Sequence, residues 1–174
     1  MKTSKLFLVV LIILTTQLVK AQQPIINWDK WNFLIGEWVG EGNGQPGQGR
    51  GSFTFLNDLD GKILVRKNHT EFPATNERPA STHNDLLYIY PDYTGIPSKA
   101  IYFDNEGHVI NYTITYSENS IAFTSDIIPN APRFRLSYIS LGKDIVNVKF
   151  EFAAPQSPND FKVYIEGKSV RIKL

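Results

Sequence analysis

Residues 102 to 112 read YFDNEGHVINY, and within them Asp104, Glu106 and His108 alternate across five positions. Two carboxylates and an imidazole are groups that hold a transition metal or pass a proton. The other two histidines sit in similar company. NHTEFP sets His69 and Glu71 on one face of a strand end, and STHNDL sets His83 two residues before Asp85. Arg66 lies just upstream. His69, Glu71, His83, Asp85 and Arg66 would make a hydrolase-like His/carboxylate site if the fold brought them to one place.

Local chemistry argues that the first cluster is a turn. DNEGH fits a three-residue hairpin loop with Asn105 and Glu106 in a type I turn and Gly107 in the left-handed conformation. Asp104 and His108 then face each other across the strands, and Glu106 sits at the tip, away from both. Two facing groups fall short of the three or four ligands that a metal ion takes. No metal ligand is therefore expected, and Asp104 serves to orient His108. For His69 and His83 the competing reading is a pair of solvated strand ends beside a loop.

Several other chemistries are excluded. The chain has no cysteine, so disulfides, thiolate catalysis and thiolate metal sites are ruled out. It carries no nucleophile elbow and no zinc-protease helix motif. GEGNGQPGQG is rich in glycine but lies between two strand patterns, whereas phosphate-cradling loops lead into a helix.

The elements that must position these groups are nearly all β. NWDKWNFLIGEW predicts a short N-terminal helix, capped by Asn27 and ended by Gly36. Runs rich in Val, Ile, Thr, Tyr and Phe then predict strands near 37–43, 50–57, 62–70, 84–90, 99–104, 108–116, 120–126, 133–140, 145–153 and 169–174. Asp60-Gly61 suits a tight hairpin turn with positive φ at Gly61. FPATNERPASTH reads as a longer surface loop, placed to cover a barrel mouth. Ser157-Pro158 followed by Phe161, Tyr164 and Ile165, with Gly167 as a stop, predicts a short helix before the last strand. About ten antiparallel strands with short turns favour an all-β, up-and-down barrel, because closure removes exposed edges.

One hairpin can be registered from sequence. In RFRLSYISLGKDIVNVKFEF a three-residue loop sets Phe134, Leu136 and Tyr138 beside Phe152, Phe150 and Val148. The opposite face then pairs Arg135 with Glu151 as an outward ion pair. A slip by one residue would mix Arg135 with Phe150, so the hydrophobic pattern selects the first register. The six apolar residues are the expected ligand-binding or core wall of the interior.

The first 21 residues read as a secretory signal peptide: Lys2 and Lys5, an apolar run from Leu6 to Leu14, then Val19 and Ala21 before the cleavage point. That run is too short for a bilayer span. Residues 22–174 are expected as one barrel domain, exported to the periplasm or secreted. Removing the peptide takes away Lys2, Lys5 and Lys20 and moves the formal net charge from +1 to −2. Such a balance offers no electrostatic footprint for nucleic acid.

FLIGEWVGEGNGQPGQGRGSFTF resembles the opening of calycin-type barrels, which include the fatty-acid-binding-protein-like folds. It is similar above all to the nitrobindin-like group and to a secreted bacterial family of unknown function. Gly36, Trp38, Gly40 and Gly42 stand in the Gly-x-Trp-x-Gly-x-Gly pattern of that group. DLDGKILVRKNHTEFPA, AIYFDNEGHVINY and PRFRLSY extend the similarity over most of the mature chain. The resemblance implies a ten-stranded barrel plugged at one end by the N-terminal helix, with Trp38 packed there, and a cavity for a small, mostly apolar molecule. Haem-binding members use a histidine near the C-terminus as the iron ligand. Here the last histidine is His108, so no haem and no other cofactor is expected. Three function classes stay open at this point: a carrier of a small hydrophobic or amphipathic molecule, an enzyme using the His/carboxylate groups, and a solid barrel acting as an interaction module.

Overall fold

The computed structural model describes residues 24–41 and 50–172. The signal-peptide reading and Gly42 fall outside those residues. A 3-10 turn at Asp29–Trp31 is followed by β1 (Gly36–Gly40), β2 (Arg50–Asp58), β3 (Ile63–Phe72), β4 (Ser81–Pro91) and β5 (Pro97–Asp104). Then come β6 (Val109–Tyr116), β7 (Ser120–Ser125), β8 (Arg133–Gly142), β9 (Ile145–Ala153) and β10 (Lys162–Arg171). Each strand pairs antiparallel with the next, and β1 pairs with β10 to close the barrel. The architecture is the up-and-down closed barrel that the strand pattern predicts.

Of the two predicted helices, the first is reduced to a single 3-10 turn and the second is replaced by a strand. At the N-terminus the 3-10 turn is all that develops, with the Asn27 side chain accepting the Asp29 N–H at 2.7 Å. The second prediction is corrected outright, since Lys162–Arg171 is a strand. Ser157-Pro158 and Gly167 are helix boundary signals, but Val163, Tyr164 and Ile165 between them favour a pleated surface. The ladder to β9 decides the matter, with a bulge between Val163 and Ile165 absorbing the change of phase.

The turn expectations hold. Gly61 has φ +76° beside Asp60 at φ +54°, and the Lys62 N–H reaches the Leu59 carbonyl at 3.0 Å. Gly107 has φ +93°, and across the loop Asp104 donates its backbone N–H to the His108 carbonyl while its carboxylate accepts the His108 N–H. The β8–β9 register also matches, with Phe134 opposite Phe152, Leu136 opposite Phe150, Tyr138 opposite Val148 and Arg135 opposite Glu151.

Alternation along the strands fills one half of the interior. Trp31, Leu34, Trp38, Phe53, Phe55, Leu64, Leu87, Ile89, Phe123 and Tyr138 form a buried cluster behind the N-terminal segment. Trp31 lies edge-on to Phe123 at 5.8 Å and donates its indole N–H to the Tyr116 hydroxyl at 3.1 Å. Trp28 donates to the Gly61 carbonyl at 2.9 Å, so the N-terminal segment is pinned across this end.

Arg171 locks the plug to the closing strands. Its guanidinium lies 4.3 Å from the centre of the Trp38 ring and donates to the carbonyls of Phe33 and Ile35 and to the Asp144 carboxylate. Trp38 stacks on Phe53 on its other side and donates its indole N–H to the Leu34 carbonyl at 2.8 Å. Gly36, at φ +124°, leaves the space that Arg171 occupies, because a Cβ there would stand 2.8 Å from the guanidinium.

Gly36→Ala should therefore cost about 1–3 kcal/mol from backbone strain, with a further loss from displacing Arg171. Gly107→Ala meets nothing within 4 Å and should show the strain alone. Denaturant midpoints of the two variants measure the difference, and equal losses would remove Arg171 from the closure.

Candidate functional site

The end opposite the plug is built differently. Register carries Arg66, Asn68, His83, Asp85, Tyr102 and Asp104 onto the inner face of β3–β5, in neighbouring pairs such as Asn68 with Asp85 and Asp85 with Asp104, and the exposed His108 follows in the β5–β6 turn. Across the lumen the inner faces of β8 and β9 are aromatic. Phe134 and Phe150 stack at 5.8 Å with ring planes 11° apart, and Tyr164 at the β10 bulge meets both Phe150 and Phe152. The mouth thus has one polar wall and one apolar wall.

The polar wall is an ordered chain of hydrogen bonds. At its base the buried Arg66 guanidinium donates to the buried Asp85 carboxylate and lies over the rings of Phe53 and Tyr138. Asn68 donates to the other Asp85 oxygen at 2.9 Å. His83 stands above, with Nε2 3.0 Å from the Tyr102 hydroxyl and 3.4 Å from Asp85, and Nδ1 3.1 Å from Glu106. Tyr102 donates to Asp104 at 3.2 Å, and the ring of His108 meets the same Asp104 oxygen at 2.8 Å.

Burial, reinforced by the negative Asp85, pushes the hydroxyls of Tyr102, Tyr112 and Tyr138 up, so all three stay neutral. Burial also works against ionised Asp104. Donation from the backbone and ring of His108, from the Glu106 backbone and from Tyr102 outweighs it and holds the carboxyl below the usual range. Two buried atoms at the floor, Arg66 Nε and the Tyr138 hydroxyl, have no hydrogen-bond partner among the described residues.

The sequence-predicted residues divide. Arg66, His83 and Asp85 converge, but His69 and Glu71 do not join them. Both point outward from β3, where His69 contacts Glu71 and Asn84 and is 48 % exposed. The physical reason is parity, because residues 66 and 69 of one strand lie on opposite faces. Glu106 is also corrected. It does sit apart from His108, but it reaches back to His83 on β4 and is not isolated at the tip. His108 and Asp104 pair as expected.

The apolar wall divides too. Tyr138 and Leu136 belong to the packed core, whereas Phe134, Val148, Phe150 and Phe152 remain partly open. Tyr102 and Tyr164 were missed. Tyr102 shares its strand face with Asp104, an i and i+2 signal present in YFD; Tyr164 was hidden by the helix reading. Arg135 and Glu151 pair on the outer face through two bonds of 2.7 Å, with Phe161 lying over the guanidinium. Arg135 holds the Glu151 carboxyl below its ordinary value against the opposing effect of burial.

Comparison with protein-family models and with curated proteins finds no match to this chain.

Two predictions follow from these charges. Asp85→Ala leaves the Arg66 charge buried and should cost about 3–5 kcal/mol, whereas pairing Arg66→Met with Asp85→Leu should recover most of that loss. Urea titrations of both variants check it, and a double variant as unstable as Asp85→Ala would contradict it. The second concerns acid. Lowered carboxyls such as Asp104 and Glu151 stabilise the fold above their unfolded pKa and lose that contribution as pH falls through the folded value. The urea midpoint should drop from ~pH 7 to ~pH 3, and Asp104→Asn combined with Glu151→Gln should flatten the drop.

Proposed function

We propose that this chain is an exported, calycin-like barrel that binds a small hydrophobic or amphipathic molecule at its open mouth. The observation that carries the reading is the pair of unlike walls: stacked Phe134 and Phe150 on one side, and the Tyr102–His83–Asp85 chain on the other. Sites for small molecules combine an apolar lining with a few fixed polar groups. The exposed Val163, Tyr164 and Ile165 at the β10 bulge, with Phe152, extend the apolar side to the rim. A polar head facing Asp104, Glu106 and His83 with an apolar body against β8 and β9 fits both walls. Export is supported by the N-terminal Lys2 to Ala21 pattern, and kinship with calycin and nitrobindin-like barrels by the Gly36-x-Trp38 motif and the ten-stranded closure.

The rival is a hydrolase-like enzyme. It keeps His83 beside Asp85 but loses His69 and Glu71 to the outer face, so binding is the better-supported reading.

Nile red, a neutral apolar dye, should bind the purified protein saturably with a blue-shifted emission. Phe150→Asp should weaken that binding at least tenfold, while Tyr93→Asp, on an exposed turn, should leave it unchanged. Titrated haem should give no histidine-ligated Soret band. Native mass spectrometry of protein from its own host tests the same site without a probe. Dye binding indifferent to Phe150→Asp would reject the mouth as the ligand site.

A further inference from the structure

We propose that the outer face of β3–β6 is a docking surface for a lipid bilayer carrying anionic headgroups. When one face of an antiparallel sheet is packed and the other meets water, its strands alternate apolar with polar residues. β4 breaks that rule. Leu86, Leu87, Tyr88, Ile89 and Tyr90 are apolar or aromatic at every position, yet only Leu87 and Ile89 belong to the buried core of the lumen. Tyr88 is exposed, and Leu86 and Tyr90 are half-buried. A continuous apolar run of this kind is the pattern of a strand that is covered on both faces.

Register turns the run into a patch. Lys67, Leu86, Phe103 and Val109 stand side by side across the four strands. Val65, Tyr88 and Ile101 form the next row, which Leu56 of β2 extends. Phe103 lies edge-on to Tyr88 at 6.1 Å, and Leu56, Tyr88, Phe103 and Val109 are all exposed. Exposed apolar surface gathered in one place marks an interaction site. The outer face across the barrel is polar by comparison, with Arg135 and Ser137 of β8 beside Glu151 and Lys149 of β9.

Charge selects the occupant. The charged side chains on these rows of β3–β6 are Lys67 and, in a third row beside Tyr90, Lys99. Both are exposed, and Lys99 donates to the Thr113 hydroxyl at 3.0 Å. The first carboxylate beyond Lys67 in its row is Glu37, two strands away on β1. A second copy docked here would add two more lysines and no acid, whereas an anionic bilayer surface offers apolar depth and negative charge together. The side-chain types suit such a boundary. Tyrosine sets an apolar ring below a polar hydroxyl, and lysine lays its stem along apolar surface while its ammonium reaches outward. The patch lies outside the barrel, so it stands whether or not the mouth binds a ligand.

The test floats purified protein with vesicles of three parts phosphatidylcholine to one part phosphatidylglycerol. The protein should bind them, bind pure phosphatidylcholine at least fivefold less, and be released as salt screens the lysines. Tyr88→Ser combined with Phe103→Ser should weaken binding at least tenfold. Lys67→Glu with Lys99→Glu, which leaves the apolar residues in place, should do the same. Lys162→Glu with Lys168→Glu makes an equal charge change at exposed positions of β10, across the barrel, and should leave binding within twofold. Circular dichroism confirms that each variant is folded. No binding to the mixed vesicles, binding that survives either variant of the face, or an equal loss in the β10 variant would each overturn the proposal. So would a dimer in sedimentation velocity that Tyr88→Ser with Phe103→Ser dissociates, since the face would then belong to a second copy.

Discussion

Closure of β1 onto β10 is the constraint on which the rest of this molecule depends. Among the described residues β1 pairs with β10 at Trp38–Arg171, Val39–Val170 and Gly40–Ser169, with further backbone bonds from Glu41 to Lys168 and from Ile172 to Glu37. The seam is reinforced from inside by Arg171, which reaches from the last strand across Trp38 to the carbonyls that end the N-terminal segment. A planar guanidinium can satisfy several acceptors while stacking on an aromatic face, which a lysine cannot do. Gly36 makes the approach possible. Once the seam holds, no strand edge is exposed along the ladder, and every inward residue faces every other across one lumen.

That lumen is used in two ways. Towards the plug it is a packed aromatic and aliphatic core, dense enough to stabilise a domain without disulfides. Towards the mouth the inner face becomes polar on β3–β5 and stays aromatic on β8–β9. The transition occurs at Arg66, a buried charge whose cost is met by Asp85 and by the rings of Phe53 and Tyr138. A charge at that depth contributes little net stability, since a hydrophobic pair of similar volume would do as well. It does fix Asp85, and through Asp85 the orientation of His83. The polar wall is therefore held from below, and its upper groups, Glu106 and His108, are the ones left accessible to a ligand.

The hairpin turn at 104–108 shows how one structural device serves a site. Gly107 permits the loop, Asp104 satisfies the backbone N–H groups of Glu106 and His108, and Asn105 ties the tip to the neighbouring hairpin. Each of these contacts is structural by itself. Their joint effect is to set a carboxylate from the tip against a histidine from another strand, which a free loop would achieve only at a cost in conformational entropy.

Whatever depends on neighbours along the chain was legible in the sequence. Alternation fixed the β8–β9 register, with Phe134 opposite Phe152 and Arg135 opposite Glu151, because a one-residue slip would turn every apolar side chain outward. Glycine chemistry located the Asp60-Gly61 and Gly107 turns for the same local reason. What the tertiary structure decided involves residues that meet only through pairing of distant strands. The segment Lys162–Arg171 carries helix boundary signals, yet β9 on one side and β1 on the other demand a strand there. His69 and His83 looked equivalent beside their carboxylates, and only the parity set by the β3–β4 pairing turned one outward and the other into the lumen. Glu106 looked solitary because its partner lies 23 residues away, on a strand whose register with β5 no local pattern reveals. Local chemistry specifies turns and faces, and closure of the barrel specifies which faces meet.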